Sequence, residues 1–133
     1  MERELRQALT DGVLQLHYQP QVFSTQTHEL YGVEALARWQ HPTWGWVPPP
    51  RFIEVAEDAG LIHQLTAWLI EAACAQLSEW RAEGLSIDHV AVNLSTNNFH
   101  DPDFAQRVQA TLDKQGLSYG DLMLEITESV MLD

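Results

Sequence analysis

The stretch LYGVEALARW, residues 30–39, constrains the fold of this 133-residue chain more than any other. Tyr31 and Val33 favour a β-strand, and strand alternation gives it one wholly apolar face and one face that carries Glu34 and Arg38. A buried strand in a parallel sheet is apolar on both faces, so these two charges need an explanation. Two explanations are open: a structural ion pair, or a site where Glu34 binds a cation and Arg38 binds a phosphate.

Composition predicts one soluble domain with a core, because 45% of the residues are apolar. The net charge of −12, from 19 acidic and 7 basic residues, opposes binding to long nucleic acid but permits a small anionic ligand held through a cation. No apolar run could span a bilayer, and the charged opening lacks the hydrophobic segment of a secretory signal. The sequence therefore predicts a cytoplasmic segment without membrane contact, with Cys74 as an inert buried thiol.

Along the rest of the chain, strands alternate with helices. The patterns predict helices over 2–9, 51–59, 62–83 and 102–115, and strands over 14–22, 89–95 and 122–128. The short connection 24–29 predicts that the first two strands form an antiparallel hairpin, and Pro20 places Gln19 at the end of the first strand. The proline-rich stretch 41–52 is predicted to be a packed loop whose tryptophans cover apolar surface. The fold class is thus α/β with parallel strands joined by helices.

Polar residues interrupt three otherwise hydrophobic strands. Glu34, Asn93 and Glu125 lie in the C-terminal halves of their strands, where ligands gather in parallel sheets. Their oxygens are the hard ligands that Mg²⁺ or Mn²⁺ prefers. Because a buried charge without a partner is costly, two carboxylates and an amide are better explained by a cation than by a stray ion pair. Gln19 is open to two interpretations, an edge residue facing solvent or a ligand contact, and His63 is predicted to be a surface residue.

Five blocks of the sequence resemble the EAL domain family of cyclic di-GMP phosphodiesterases. In family order they are YQP at 18–20, GVEALARWQHP at 32–42, PPRFIEVAEDAGLI at 49–62, VNLS at 92–95 and EITES at 125–129. The resemblance implies a TIM-type barrel whose first strand runs against the others. It also implies hydrolysis of cyclic di-GMP to pGpG in bacterial second-messenger signal transduction.

The resemblance further implies roles for individual residues. Glu34, Asn93 and Glu125 match the family's ligands for Mg²⁺ or Mn²⁺, Leu36 and Arg38 match contacts to the nucleotide, Gln19 matches a contact to a guanine edge, and Glu128 matches a glutamate that organises an active-site loop. The family pattern continues into paired aspartates, a lysine, a glutamate and a glutamine, none of which precedes Asp133. Residues 1–133 are therefore interpreted as the N-terminal portion of a single EAL domain, about half the usual barrel, with 1–12 as a leading helix and 13–133 as the first part of the barrel.

Such a portion is expected to be inactive alone. Its inward face, with Leu36, Ala91 and Met123, is expected to be exposed and to favour a homodimer or cover by another chain. Two other functions stay open at this point. One is a noncatalytic EAL module that binds cyclic di-GMP or a protein, and the other is a metal-independent interaction domain with Trp44 and Trp46 on its surface.

Overall fold

A computed structural model describes residues 2–22 and 30–126 of the chain. Its helices are α1 (Glu2–Asp11), α2 (Pro49–Asp58), α3 (Ile62–Ala82) and α4 (Phe104–Gln115), with 3₁₀ turns at Thr96–His100 and Tyr119–Asp121. Its strands are β1 (Gln15–Val22), β2 (Leu30–His41), β3 (Gly45–Val47), β4 (His89–Leu94) and β5 (Leu122–Ile126).

The main sheet has the strand order β1-β2-β4-β5. β1 pairs with β2 in antiparallel fashion, whereas β2, β4 and β5 are parallel. Both predictions, an antiparallel first strand and parallel strands joined by helices, are confirmed. The part of the chain described is thus one side of a (β/α) barrel, with the helices on its outer face.

Two predictions about local structure are wrong. β1 continues through Pro20, which pairs with Val33, so Gln19 lies inside the strand and not at its end. Proline is found on the outer strands of sheets, and β1 is the outer strand among the described residues. The predicted loop over 41–52 contains β3, which pairs with β2 from Trp39 to His41. The prolines flank β3 and do not interrupt it.

The turn that enters β3 is built by a side chain. His41 Nδ1 accepts hydrogen bonds from the backbone N–H groups of Thr43 and Trp44, at 3.0 and 3.2 Å, and the His41 ring stacks on Trp44 with 3.8 Å between centroids. Trp44 and Trp46 are each 50% exposed, and each has a histidine ring against it, since Trp44 stacks on His41 and Trp46 meets His17 edge-on. They belong to the hairpin formed by β2 and β3.

The core lies between the apolar face of the sheet and α3. The predicted stripe of α3 is buried at Ile62, Leu65, Leu69, Ala73 and Leu77. From Leu69 onward the stripe shares a cluster with Val90 and Val92 of β4, which are both fully buried. A second cluster joins α1 to β2 and α2 through Leu5, Trp39 and Phe52. Cys74 is buried in the first cluster, where burial raises the pKa of its thiol to about 11, as expected for an inert thiol.

Gly32 is required by close packing within the sheet. A Cβ on this residue would lie 2.7 Å from Cε1 and 2.8 Å from Nε2 of His89, whose buried side chain is only 2% exposed. We expect Gly32→Ala to lower the free energy of unfolding by about 1–3 kcal/mol, because the ring of His89 would have to shift within a packed interior. Urea unfolding measures the change.

Gly120→Ala is the matched control for this prediction, since no heavy atom of a neighbouring described residue lies within 4 Å of its added Cβ. Equal changes in the free energy of unfolding for Gly32→Ala and Gly120→Ala would show that His89 does not oppose a Cβ at position 32.

Candidate metal and nucleotide site

Strand alternation brings the polar residues of the sheet to one face, the inner face of the barrel. Gln19 of β1 stands in register with Glu34 of β2, and Asn93 of β4 stands in register with Glu125 of β5. Glu34 and Ala91 are also register partners, which places Asn93 one step further along the same face. Four strands therefore deliver the predicted residues to one region, as the sequence pattern indicated.

Two of these side chains are in direct contact. Asn93 Nδ2 donates a hydrogen bond to Glu34 Oε2 at 2.6 Å, across 59 residues of sequence. On the neighbouring strand, Glu125 Oε1 is buried, and no hydrogen-bond partner for it occurs among the described residues. A buried carboxylate oxygen without a partner costs free energy, and a cation would remove that cost.

The donor set of Glu34, Asn93 and Glu125 fits a hard divalent cation. Within residues 2–22 and 30–126, no group of three or more His, Cys, Asp or Glu side chains could hold a metal ion. The candidate ligands are instead two carboxylates and the amide of Asn93. Mg²⁺ is usually bound by one or two carboxylates and keeps several waters. The three residues are therefore sufficient for one cation of this class, although they do not form a closed cage.

Arg38 does not pair with Glu34. The two side chains lie four residues apart on β2, about 13 Å along a strand, and no ion pair joins them within the described ranges. Arg38 Nη1 instead donates to its neighbour's carbonyl, Ala37 O, at 3.1 Å. The structural ion pair is thus the wrong explanation, and the guanidinium stays on the same face as Glu34, with Leu36 between them.

One charged residue near this site was missed by the sequence reasoning. Glu57, near the end of α2, accepts hydrogen bonds through Oε2 from Ser95 Oγ and, at 2.9 Å, from Asn97 Nδ2. Ser95 lies two residues after Asn93. Glu57 and Ser95 lie in the blocks 49–62 and 92–95, but 38 residues separate them and no sequence pattern indicated that they touch.

The remaining predicted residues have different outcomes. Glu128 lies outside the described residues, so its role stays a prediction. His63 lies in the first turn of α3, where it lines a cleft of about 280 Å³ between α3 and α4 that contains none of the predicted site residues. On the inner face, Met123 is 43% exposed as expected. Ala91 is fully buried, contrary to expectation, because its methyl group lies between larger neighbours in register, Glu34 and Met123.

The fold and the site define a class of protein, a (β/α) barrel enzyme or binding domain whose inner face gathers acidic and amide oxygens. The chain belongs to the EAL domain family, whose sequence profile matches residues 2–133. No helix in the described ranges has both the length and the apolar character needed to cross a membrane.

Several curated proteins and solved structures are similar to this chain. The oxygen sensor protein DosP of Escherichia coli is 43% identical over 97% of the chain, which spans 16% of DosP. The cyclic di-GMP phosphodiesterase NbdA of Pseudomonas aeruginosa is 41% identical over 99% of the chain, which spans 17% of NbdA. The solved PaMucR phosphodiesterase in complex with c-di-GMP is 40% identical, with a TM-score of 0.87, over 98% of this chain and 53% of that one. The chain therefore spans about half of a solved relative and about a sixth of these curated ones.

Proposed function

We propose that the polypeptide containing these residues hydrolyses one phosphodiester bond of cyclic di-GMP to give pGpG, and that this chain supplies one half of the site. The observation that carries the proposal is the Asn93–Glu34 contact beside the unpartnered oxygen of Glu125, on a face that also bears Arg38. Membership of the EAL domain family supports it, as does the solved c-di-GMP complex of a relative at 40% identity.

Glu34, Asn93 and Glu125 would hold Mg²⁺ or Mn²⁺. The cation, when bound, supplies positive charge beside the phosphate and makes water a stronger nucleophile at neutral pH. The amide of Asn93 orients the Glu34 carboxylate through its hydrogen bond, so the two ligands are positioned relative to each other before any cation arrives.

The nucleotide is held by residues on either side of this group. The net charge of −12 repels a phosphodiester at long range, so affinity has to come from local positive charge. Arg38 supplies that charge and can contact two phosphate oxygens through its planar fork of N–H groups. Gln19, in register with Glu34, offers an amide that can pair with a guanine edge, and half-buried Leu36 offers apolar contact.

Several finer expectations belong to the same proposal. Residues 1–133 would form the first portion of a single EAL domain, and Glu128 would organise the loop beside the site. The domain would act in the cytoplasm. The exposed inner face around Met123 would be covered by a second copy or by another chain.

The test of the proposed function is turnover of cyclic di-GMP by the parent polypeptide, with Mg²⁺ or Mn²⁺ and with a chelator, followed by chromatography of pGpG. We expect metal-dependent formation of pGpG. Tight binding without turnover would replace the proposal by a noncatalytic cyclic di-GMP-binding module. Absence of both would leave the exposed pair Trp44 and Trp46 as the surface of an interaction domain.

A further inference from the structure

We infer that Glu57 is a positioning residue for the cation site, acting through the turn that follows β4. This inference rests on the proposed function for the identity of the cation, but not for the contacts themselves. Glu57 Oε2 accepts hydrogen bonds from the hydroxyl of Ser95 and the side-chain amide of Asn97. One carboxylate oxygen therefore holds two residues of this turn. Glu57 belongs to α2, which is separated from this turn in the chain by α3 and β4, so the contact is tertiary.

The turn held by Glu57 begins directly after the metal-site strand. β4 ends at Leu94, one residue after Asn93, and Ser95 caps the 3₁₀ segment Thr96–His100 by accepting the N–H of Asn97 at 3.2 Å. The position of Ser95 therefore fixes where β4 stops. Because the direction of the Asn93 side chain depends on the backbone at the last residues of β4, a shift of Ser95 would change the 2.6 Å contact between Asn93 and Glu34.

A second helix holds the same turn from another side. Thr66 Oγ1 of α3 donates to Asn98 Oδ1 at 3.1 Å, and Asn98 is fully buried. Asn98 Oδ1 also accepts the backbone N–H of Ser95 at 3.2 Å. The hydrogen bond from Thr66 of α3 is neutral and buried. Glu57 of α2 is the charged group among the residues that hold the turn. Charge-assisted hydrogen bonds are shorter and stronger than neutral ones, which suits a carboxylate that must hold two donors at a half-buried position.

Two roles for Glu57, positioning of the turn and long-range attraction of the cation, lead to different expectations for its variants. Glu57→Ala removes the acceptor, so it should release Ser95 and Asn97. Glu57→Gln keeps an oxygen that can accept both hydrogen bonds but loses the negative charge. If Glu57 acts by positioning, the glutamine variant should resemble the wild type. If it acts by long-range attraction of the cation, glutamine should be as harmful as alanine.

The experiment combines a metal-free measurement with a metal titration, both on the full chain. In chelator, NMR of the Asn93 side-chain amide reports its hydrogen bond to Glu34 without any cation. Calorimetric titration with Mn²⁺ reports the site itself. We expect Glu57→Ala to move the Asn93 amide resonances toward those of a solvent-exposed asparagine and to weaken Mn²⁺ affinity by about 10- to 100-fold. We expect Glu57→Gln to leave both readouts close to the wild type.

Glu54→Ala is the matched control, since Glu54 is an exposed glutamate on the same helix, one turn before Glu57. Asn97→Ala removes one of the two donors to Glu57 and should shift the Asn93 amide resonances in the same direction as Glu57→Ala. It provides a second test if Glu57→Ala folds poorly. Unchanged Asn93 resonances in folded Glu57→Ala would overturn the inference. A shift of the Asn93 resonances in Glu57→Ala, together with no Mn²⁺ binding by the wild type, would instead overturn the proposed cation site and leave the positioning role standing.

Discussion

Glu34→Gln is expected to abolish Mg²⁺- or Mn²⁺-dependent hydrolysis of cyclic di-GMP by the parent polypeptide while leaving the fold intact. Glutamine has nearly the same shape, and its oxygen can still accept the hydrogen bond from Asn93, so packing is preserved. It lacks the negative charge that a hard cation requires. The rate should fall by at least about 100-fold, equivalent to about 2.7 kcal/mol of transition-state stabilisation.

Chromatography of pGpG measures this loss, and circular dichroism with urea unfolding shows that the variant is folded. Glu54→Gln removes the same charge from an exposed position on α2 and should keep full activity. Metal-dependent turnover that survives Glu34→Gln at the wild-type rate would remove Glu34 from the ligand set.

Arg38→Ala is expected to weaken the affinity for cyclic di-GMP by about 10- to 100-fold. Its guanidinium has no carboxylate partner in the described part of the chain, and it lies on the face that carries Glu34. A charge-assisted hydrogen bond to a phosphate contributes about 1.5–3 kcal/mol, which corresponds to one to two decades in affinity. Calorimetry in a chelating buffer measures the change without turnover.

Two variants make the Arg38 measurement specific. Arg38→Lys keeps the charge but loses the planar fork, so its affinity should fall between those of the wild type and Arg38→Ala. Arg51→Ala removes an exposed arginine from α2 and should have little effect. Equal affinities for Arg38→Ala and the wild type would return Arg38 to a structural role.

The alternation of β2 allowed the inner face to be predicted from sequence, because the side-chain period of a strand is fixed at two. Once Glu34 was assigned to a face, Leu36 and Arg38 followed, and the parallel order of β4 and β5 followed from the helices between them. Asn93 and Glu125 could be predicted to share the inner face with Glu34 for the same reason. The hydrogen bond between Asn93 and Glu34 also depends on β2 and β4 being neighbours, which alternation alone does not determine.

Contacts that depend on tertiary packing could not be predicted in this way. Pro20 disfavours a strand locally, but β1 is the outer strand among the described residues, a position where proline is tolerated. β3 depends on the side chain of His41, which accepts two backbone N–H groups in the turn. Glu57 contacts Ser95 only when α2 and β4 have packed together, and no local pattern in either segment indicates that the two residues meet.

The most direct test of the central claim, that Glu34, Asn93 and Glu125 form a divalent-cation site, is the anomalous diffraction of Mn²⁺ in crystals of the parent polypeptide. We expect an anomalous peak about 2 Å from an oxygen atom of each of these three side chains, as is typical of a small hard divalent cation. An occupied Mn²⁺ site elsewhere in the domain, with Asn93 still bonded to Glu34 and no anomalous density beside Glu125, would contradict it.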